Sequence, residues 1–292
     1  MSLELKGIFK NYGKKKVLEN LNLTLEEGKI YGLVGRNGAG KTTMLSIAAA
    51  QNPATAGEVL LDGERVWENQ KALDQICFSR EVGNMVNGVQ NTLKVKEYLK
   101  IAGMLFPSWD KEMADRLVEE FELDRKQKIF KLSKGMQSMV TIIVALASKA
   151  KYTFLDEPAA GLDVVARENF YRILLDEYSE TGRTFVISTH IIEEAAEVFE
   201  EVIFLDKGKI LIREETQELL DRCVHVSGRA EDVDALCAGK QVHHPEKMGR
   251  SKGVTLLLKA GETFDPAGRD VDVRPMSLQD VFVALCGREE SV

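Results

Sequence analysis

The residues best suited to chemistry form a run of eight, Gly35 to Thr42, with the sequence Gly-Arg-Asn-Gly-Ala-Gly-Lys-Thr. The run fits the spacing G-x-x-x-x-G-K-[ST], in which glycines turn the backbone so that successive N–H groups point at phosphate oxygens. Lys41 is expected to reach the β- and γ-phosphates, and the Thr42 hydroxyl is expected to ligate Mg²⁺. The pattern therefore predicts a nucleoside triphosphate site, with expected contacts at Gly35, Arg36, Asn37, Gly38, Ala39, Gly40, Lys41, Thr42 and Thr43.

The flanking residues supply the strand and the helix that this motif needs. Residues 29–34 form a short, mostly apolar run that is typical of a buried strand. Residues 41–50 predict a helix, whose N-terminus would add partial positive charge near the phosphates. A glycine-rich turn can arise by chance, but eight matching positions between a strand and a helix favour phosphate binding.

Two acidic residues follow a second apolar strand at residues 152–155. Asp156 is suited to hold Mg²⁺ through water beside Thr42, and Glu157 is suited to orient or deprotonate a water that faces the γ-phosphate. The alternative is a pair of solvated acids that cap the next turn. Because a phosphate-binding motif is present in the same chain, we expect Asp156 to act on the metal and Glu157 to be catalytic.

A third strand, at residues 184–188, is followed at once by Thr189 and His190. Ligands bind at the carboxyl ends of strands in open α/β sheets, so His190 is a candidate contact to the γ-phosphate. A lone histidine is more often structural. Tyr12 lies beside a predicted hairpin turn at residues 13–16, where its ring could stack on an adenine or pack on its own hairpin.

Residues 132–137, Leu-Ser-Lys-Gly-Met-Gln, precede a helix that is predicted over residues 136–150. Ser133 is suited to cap this helix, and Gly135 would allow close approach to its first turn. A capped helix start can bind anions, although an ordinary helix start has the same features when it is considered alone.

The composition is that of an ordinary globular protein, with 292 residues, 44% of them hydrophobic and 29% charged. The net charge of −7 argues against broad nucleic-acid binding, which needs a basic face. No apolar run approaches the ~20 residues that span a bilayer, and no signal peptide is apparent, so we expect a cytosolic protein. His243-His244 is too isolated for a metal site. The cysteines are expected to be buried, reduced thiols, at Cys77, Cys223, Cys237 and Cys286.

Taken in order, these segments resemble the ATP-binding cassette (ABC) ATPases over roughly residues 3–215. The resemblance makes residues 35–43 the Walker A motif, residues 154–157 the Walker B motif with catalytic Glu157, and residues 188–190 the H-loop. Tyr12 falls where the family has an adenine-stacking aromatic residue. Residues 132–137 resemble the family signature L-S-G-G-Q, which other P-loop families lack. The D-loop is matched by Ala160, Gly161, Leu162 and Asp163.

Two departures from the family pattern stand out. Lys134 and Met136 replace the first glycine and the glutamine of the signature, so we expect an active but altered site. The Q-loop glutamine is not evident. Counting from a predicted strand at residues 76–79 assigns that place to Glu81, with Gln90 as the alternative in a polar loop at residues 83–91.

The resemblance implies an α/β fold with a P-loop, RecA-like core, an antiparallel β subdomain, and a helical signature subdomain at about residues 93–150. The ATPase domain would span residues 1–215, and residues 216–292 would form a small α+β accessory domain. The family pattern also implies that two cassettes, alike or different, sandwich two ATP molecules with Mg²⁺. The residues expected to act on the partner's nucleotide are Ser133, Lys134, Gly135 and Met136.

The resemblance also implies a function: an ATP-hydrolysing subunit, peripheral on the cytoplasmic face, that powers a separate membrane permease. The tail resembles that of the drug- and antibiotic-export branch, which favours an exporter. The alternative is a soluble ABC ATPase that acts on ribosomes or DNA, but the chain has one P-loop and neither a coiled-coil nor a zinc insertion. A third class, a module that no longer hydrolyses ATP, is disfavoured by Lys41, Asp156, Glu157 and His190. No nucleic-acid partner is expected.

Overall fold

The computed structural model describes residues 1–82, 85–86, 89–90, 92–259 and 261–287, without the side chains of residues 85, 86, 89, 90 and 248. The backbone forms two compact units. The first comprises Met1–His190 with Ile203–Ile212, and the second comprises Ile191–Val202 with Arg213–Val292.

An antiparallel sheet begins the first unit. Its strands are β1 (Ser2–Tyr12), β2 (Lys15–Glu26), β4 (Ala56–Leu61) and β5 (Glu64–Arg65), in the spatial order β2-β1-β4-β5. Alternate residues of the first two strands are buried, among them Leu3 and Leu5 opposite Leu25 and Leu23. This period of two gives the sheet one apolar face, which confirms the predicted antiparallel β subdomain.

A six-stranded sheet forms the centre of the first unit. Its strands are β3 (Ile30–Val34), β6 (Ile76–Ser79), β9 (Tyr152–Asp156), β10 (Thr184–Thr189), β11 (Glu201–Asp206) and β12 (Lys209–Glu215). The spatial order is β12-β11-β3-β10-β9-β6, and β10 runs parallel to both β3 and β9. Because parallel strands end at the same edge of a sheet, the segments that follow β3, β9 and β10 are brought together.

The loop predicted at residues 83–91 contains two very short strands. Residues Met85–Val86 (β7) pair antiparallel with Val89–Gln90 (β8). The sequence pattern did not indicate this pairing, because strands of two residues carry no periodicity. Side-chain positions in this segment, including that of Gln90, lie outside the described residues.

Six α-helices belong to the described part of the first unit. They are α1 (Lys41–Ala48), α2 (Gln70–Leu73), α3 (Val95–Leu105), α4 (Lys111–Glu120), α5 (Lys134–Ala147) and α6 (Val164–Thr181). The helix predicted over residues 136–150 is therefore displaced towards its N-terminus. It begins at Lys134 because the Ser133 hydroxyl accepts a hydrogen bond from the Met136 N–H. Helices α3 and α4 pack on α5.

A buried charge cluster ties helix α6 to the strand that follows it. The Glu177 carboxylate, which is 1% exposed, lies 2.8 Å from Lys149 Nζ and 3.1 Å from Arg183 Nε. Arg183 also donates to the Leu146 carbonyl at 2.8 Å. We name these residues the Glu177 cluster. A buried charge is tolerated only when it is paired and hydrogen-bonded, and both conditions are met here.

The second unit is built on an antiparallel sheet in the order β14-β15-β13-β16. Val226, Val254 and Leu256 of this sheet are buried with Val233 from a covering helix. Its strands are β13 (Cys223–Arg229), β14 (Val242–Met248), β15 (Ser251–Leu257) and β16 (Val271–Pro275), and its helices are α7 (Ile192–Ala195), α8 (Thr216–Arg222), α9 (Ala230–Leu236) and α10 (Leu278–Cys286).

Two further observations concern the helices and the cysteines. Within the described ranges, no helix is both long and apolar enough to cross a bilayer. All four cysteines, each of which is in the described part of the chain, are buried free thiols. Burial raises the pKa of Cys77 to about 11, because the thiolate would be poorly solvated there.

Candidate active site

Glycines shape the turn between β3 and α1, where the phosphate-binding motif lies. Gly38 and Gly40 have φ angles of 85° and 113°, which side chains rarely adopt. A Cβ on Gly35 would lie 2.5 Å from the Leu205 carbonyl oxygen, and one on Gly40 would lie 2.9 Å from Leu18 Cδ2. The backbone conformation and the close packing therefore both require glycine.

The turn at Gly208 is hydrogen-bonded to this phosphate-binding loop. The Gly208 N–H, between β11 and β12, donates to the Ala39 carbonyl at 2.9 Å, and the Glu19 N–H donates to the Gly208 carbonyl at 3.2 Å. A Cβ on Gly208 would lie 2.1 Å from the Val17 carbonyl oxygen. The sequence analysis assigned no role to Gly208, since a Lys-Gly turn between two strands is common in any fold.

The P-loop lysine already occupies a polar environment. Lys41 is buried, and its Nζ donates to the Gly35 carbonyl at 2.6 Å and lies 3.3 Å from Glu157 Oε1. Thr42 is exposed and Thr43 is half-buried, in the first turn of α1. The predicted nucleotide contacts thus line one loop whose middle, residues 36–38, is open to solvent.

The two acids follow β9, where the neighbouring strand β10 supports them. Ser188 lies opposite Asp156 in the parallel register, and its hydroxyl donates to Asp156 Oδ1. The Glu157 N–H donates to the Ser188 carbonyl at 3.0 Å. Ser188 was part of the predicted H-loop without a role of its own. Its function in orienting Asp156 becomes visible only once the two strands are known to be adjacent.

Glu157 connects the P-loop to the histidine. Its Oε2 lies 2.7 Å from His190 Nδ1, while its Oε1 faces Lys41. The backbone of Glu157 has φ of 51°, a left-handed conformation that costs free energy in a residue other than glycine and that is often found at functional sites. We name Lys41, Glu157 and His190 the Glu157 cluster. The structure brings together these three residues, which the sequence motifs predicted separately.

Tyr12 ends β1, and the residue as a whole is 52% exposed. Its hydroxyl accepts a hydrogen bond from Asn52 Nδ2 at 2.7 Å, and Lys10 Nζ lies 4.8 Å from the ring centroid. The ring is therefore held at one edge while much of its surface is open to a stacking partner.

The signature turn and the D-loop are packed against each other within the chain. A Cβ on Gly135 would lie 2.5 Å from the Gly161 carbonyl oxygen, and the Ser138 hydroxyl donates to the Ala160 carbonyl at 2.7 Å. Asp163, the last residue of the predicted D-loop, caps helix α6 by accepting from the Ala166 N–H at 2.9 Å. The two motifs thus form one surface, with Leu162 buried beneath it.

The two departures from the family pattern lie together. Lys134 Nζ is 3.8 Å from Glu81 Oε1, and both side chains are largely exposed. Met136 is half-buried, whereas Gln137, the next residue, is buried and donates to the Leu132 carbonyl at 3.1 Å. The signature turn therefore presents Ser133 and a lysine to solvent.

Comparison with known proteins gives a consistent result. A family model described as ABC transporter matches residues 18–160. ABC transporter ATP-binding protein YtrB of Bacillus subtilis (strain 168) is 26% identical over 291 residues, 98% of each chain. Nod factor export ATP-binding protein I of Cupriavidus metallidurans is 28% identical over 303 residues, also 98% of each. Taurine import ATP-binding protein TauB of Escherichia coli O157:H7 is 33% identical over 208 residues, 70% of this chain and 80% of TauB.

A solved structure shares the same fold. The dimeric structure of MJ0796, a bacterial ABC transporter cassette, has a TM-score of 0.64 and 27% identity over 73% of this chain and 98% of its own. The same cassette has been solved in a post-hydrolysis state bound to ADP and Pi. The α/β fold predicted from the sequence is thereby confirmed. The chain belongs to the ABC transporter family, in which it is an ATP-binding cassette that hydrolyses ATP.

Proposed function

We propose that this chain is the ATP-hydrolysing subunit of an exporter, that it works on the cytoplasmic face of the membrane, and that it drives a separate permease. The observation that carries the proposal is the Glu157 cluster, in which one carboxylate lies between the P-loop lysine and a histidine. Such a carboxylate can change partners when a phosphate arrives. That exchange links nucleotide binding to the activation of a catalytic base.

The first step is the transfer of Lys41 from protein to nucleotide. In this structure, its ammonium is shared between the Gly35 carbonyl and Glu157. The β- and γ-phosphates carry more negative charge than one carboxylate, so Lys41 turns towards them, and residues 35–43 supply the surrounding N–H groups. Tyr12 stacks on the adenine. Glu157 is then released from its lysine.

The released carboxylate is the general base. Glu157 accepts a proton from a water molecule, whose oxygen attacks the γ-phosphorus while the bond to the bridging oxygen of ADP breaks. His190 keeps the carboxylate oriented through Nδ1. We infer that its ring also contacts the γ-phosphate. Because the base is already held in one orientation, the entropic part of the activation barrier is smaller.

The residues beside the P-loop fit a magnesium ion. Asp156 offers a carboxylate oxygen that Ser188 orients, and Thr42 offers an exposed hydroxyl on the first turn of α1. Mg²⁺ prefers oxygen ligands and is usually held by one or two protein groups together with substrate phosphates. When bound, Mg²⁺ neutralises charge on the phosphate oxygens.

The signature turn acts on the ATP of a second cassette. The exposed start of helix α5, with the Ser133 hydroxyl and Lys134, is suited to bind an anion, and Gly135 lets the D-loop pack behind it. The dimeric assembly of the related MJ0796 supports a sandwich of two cassettes. The partner is a second copy of this chain or a different cassette, and Met136 lies at the edge of the same contact.

The extent of the matches supports export. The relative named for Nod factor export matches 98% of this chain, including the second unit. The relative named for taurine import matches 70% of it. We therefore place the end of the ATPase domain near residue 215, with helical subdomain 93–150 inside it, and we infer that residues 216–292 are an accessory domain that this chain shares with its exporter relative.

A capture experiment tests the transporter assignment. The Glu157→Gln protein, held with Mg-ATP, is used to recover partners from detergent-solubilised membranes, and the Lys41→Ala protein serves as a control that cannot hold ATP. We expect the Glu157→Gln protein to retain a polytopic membrane protein that the control loses. Recovery of ribosomes or DNA instead would place the chain among the soluble ABC ATPases.

The direction of transport is tested with the recovered permease. Proteoliposomes that expose the cassettes outwards receive ATP and the permease's candidate cargo on the outside. An exporter moves cargo away from the side where ATP is hydrolysed, so cargo is expected to accumulate inside the vesicles. Cargo loss from preloaded vesicles would establish an importer.

A further inference from the structure

We propose that Glu81 and Lys134 form an exchangeable ion pair that controls how readily the signature turn accepts the phosphates of the partner's ATP. The proposal rests on the sandwich of two cassettes proposed above. In it, Lys134 is a second phosphate-binding cation, and Glu81 is a positioning residue that acts through Lys134.

The first observation is that two unusual residues meet. An acid stands at the place assigned to the Q-loop glutamine, and a lysine stands at the first glycine of the signature. They are far apart in the sequence, yet Lys134 Nζ lies 3.8 Å from Glu81 Oε1. The two residues therefore carry opposite charges and can form an ion pair, which only the structure reveals.

The second observation is that the lysine stands where a cation is unfavourable. Lys134 is the first residue of helix α5, beside the positive end of the helix dipole. A helix start attracts anions by its backbone N–H groups and its dipole, so an added cation there needs a compensating charge. Glu81 supplies the compensating negative charge to Lys134, so a phosphate that enters the turn competes with Glu81 for the lysine.

The third observation is that the two ends of the lysine are held differently. A Cβ on Gly161 would lie 2.9 Å from Lys134 Cγ, so the stem of the lysine packs against the D-loop glycine. The ammonium end is free to move, because the side chains of Lys134 and Glu81 are 58% and 64% exposed. Exposed ion pairs are weak, and a phosphate with two charges can displace the carboxylate.

The consequence is a balance of charge at the turn. Lys134 offers one positive charge to the partner's phosphates, and Glu81 makes that charge less available by pairing with the ammonium. Removing the Glu81 charge should strengthen ATP-dependent association, and removing the Lys134 charge should weaken it. If Glu81 acts through Lys134, the first effect disappears when the lysine is absent.

A double-mutant cycle tests the proposal. Four full-length proteins are compared in the Glu157→Gln background: the parent, Glu81→Gln, Lys134→Met and the double variant. Methionine retains an unbranched stem against Gly161 without the charge. The ATP concentration that gives half-maximal association is measured by analytical ultracentrifugation at low and high salt. Initial ATPase rates are measured in the same four combinations with Glu157 intact, so that KM and kcat are separated.

We expect Glu81→Gln to lower the half-maximal ATP concentration about threefold and Lys134→Met to raise it three- to tenfold, with kcat changed less than KM. In the Lys134→Met background, Glu81→Gln should have no effect. High salt should reduce each effect, because the charges are exposed. Lys134→Arg should restore most of the loss. The control is Glu58→Gln, which removes the acid from another exposed ion pair, with Arg65, and should change nothing.

An effect of Glu81→Gln that persists at full size in the Lys134→Met background would overturn the proposal, since Glu81 would then act directly on the nucleotide or its metal. No effect of either single variant would overturn it as well. A wild-type protein that hydrolyses ATP, together with a Glu157→Gln parent that does not associate, would contradict the proposed sandwich. Active, associating proteins without coupling would contradict only the ion-pair proposal.

Discussion

Two carboxylates in this protein each lie between a lysine and a second side chain that bears nitrogen atoms, and they serve different purposes. Glu157 lies between Lys41 and His190, and Glu177 lies between Lys149 and Arg183. The first is 26% exposed and the second 1% exposed. The chemical groups are similar, so the surroundings must decide what each carboxylate can do.

The Glu177 cluster is closed to solvent, so a ligand cannot reach it to replace one of the ion-pair partners. Arg183 is buried and is held by the Leu146 carbonyl as well as by Glu177. Burial lowers the pKa of Arg183, and the charge of Glu177 opposes that change. Separating these groups would leave a buried charge without a partner, and the cluster therefore stabilises one conformation.

The Glu157 cluster is open on one side. His190 is exposed, Lys41 adjoins a loop with solvent access, and the backbone of Glu157 is in a left-handed conformation. A phosphate can replace Glu157 as the partner of Lys41, and the exchange leaves no unpaired charge in an apolar interior. The comparison indicates that an ion pair can take part in catalysis or binding only where a ligand can reach it and replace one partner.

The largest effect is expected at the exposed carboxylate. Glu157→Gln keeps the shape of the side chain but removes the base, so steady-state ATP turnover should fall by about 10²–10⁴-fold. Binding of a fluorescent ATP analogue and the urea midpoint should change little. Residual turnover at a tenth of the wild-type rate or more would show that another group is the base.

The buried carboxylate should show the opposite behaviour. Glu177→Gln leaves Arg183 and Lys149 without their shared anion, so the free energy of unfolding should fall by about 3–5 kcal/mol. Urea titration measures this loss, and the protein that stays folded should bind ATP normally. Asp176→Asn is the matched control, because its exposed pair with Arg172 at 3.0 Å should contribute less than about 1 kcal/mol. Equal losses in the two variants would contradict the distinction drawn here.

A smaller effect is expected at the histidine. His190→Asn removes the ring that orients Glu157 but leaves the base in place, so kcat should fall by about 10–100-fold with a smaller change in KM. Steady-state kinetics over a range of ATP concentrations separates the two constants. If KM alone rose, His190 would be a binding contact without influence on the base.

The smallest effect concerns the pH dependence of stability near the Glu177 cluster. Burial raises the pKa of Cys77 from 9.0 to about 11, although a hydrogen bond from Ser148 and the charge of Arg183 partly oppose this. Below pH 9 the thiol is protonated in both the folded and the unfolded chain, so its contribution is complete. Between pH 9 and 11 only the unfolded chain ionises, and stability should fall by up to about 1.4 kcal/mol per pH unit.

Urea titrations of the wild type and of Cys77→Ala at pH 8, 9 and 10 measure this contribution as a difference in slope. The alanine variant should lose stability less steeply as the pH rises, whatever its stability at pH 8. The Glu157→Gln protein should keep the wild-type slope. Parallel curves for wild type and Cys77→Ala would show that the thiol titrates alike in both states.

Patterns within short stretches predicted most of the first unit. Three predicted features are each decided by neighbours in the sequence: the spacing of residues 35–42, the apolar strands at 29–34 and 184–188, and the serine cap at Ser133. In the second unit the patterns did not reveal β14, which contains Pro245 and a register shift between His243 and Glu246. A proline in an edge strand hides the alternation that identifies strands.

The sequence by itself therefore determined the chemistry that the chain carries: the phosphate loop, the two acids, the histidine and the signature turn. Only the tertiary structure decided which of these residues touch. The contacts of Ser188 with Asp156, Gly208 with Ala39 and Glu81 with Lys134 join residues that are distant in the sequence. The physical reason is that such contacts depend on strand order and loop packing, and a local pattern of residue types contains neither.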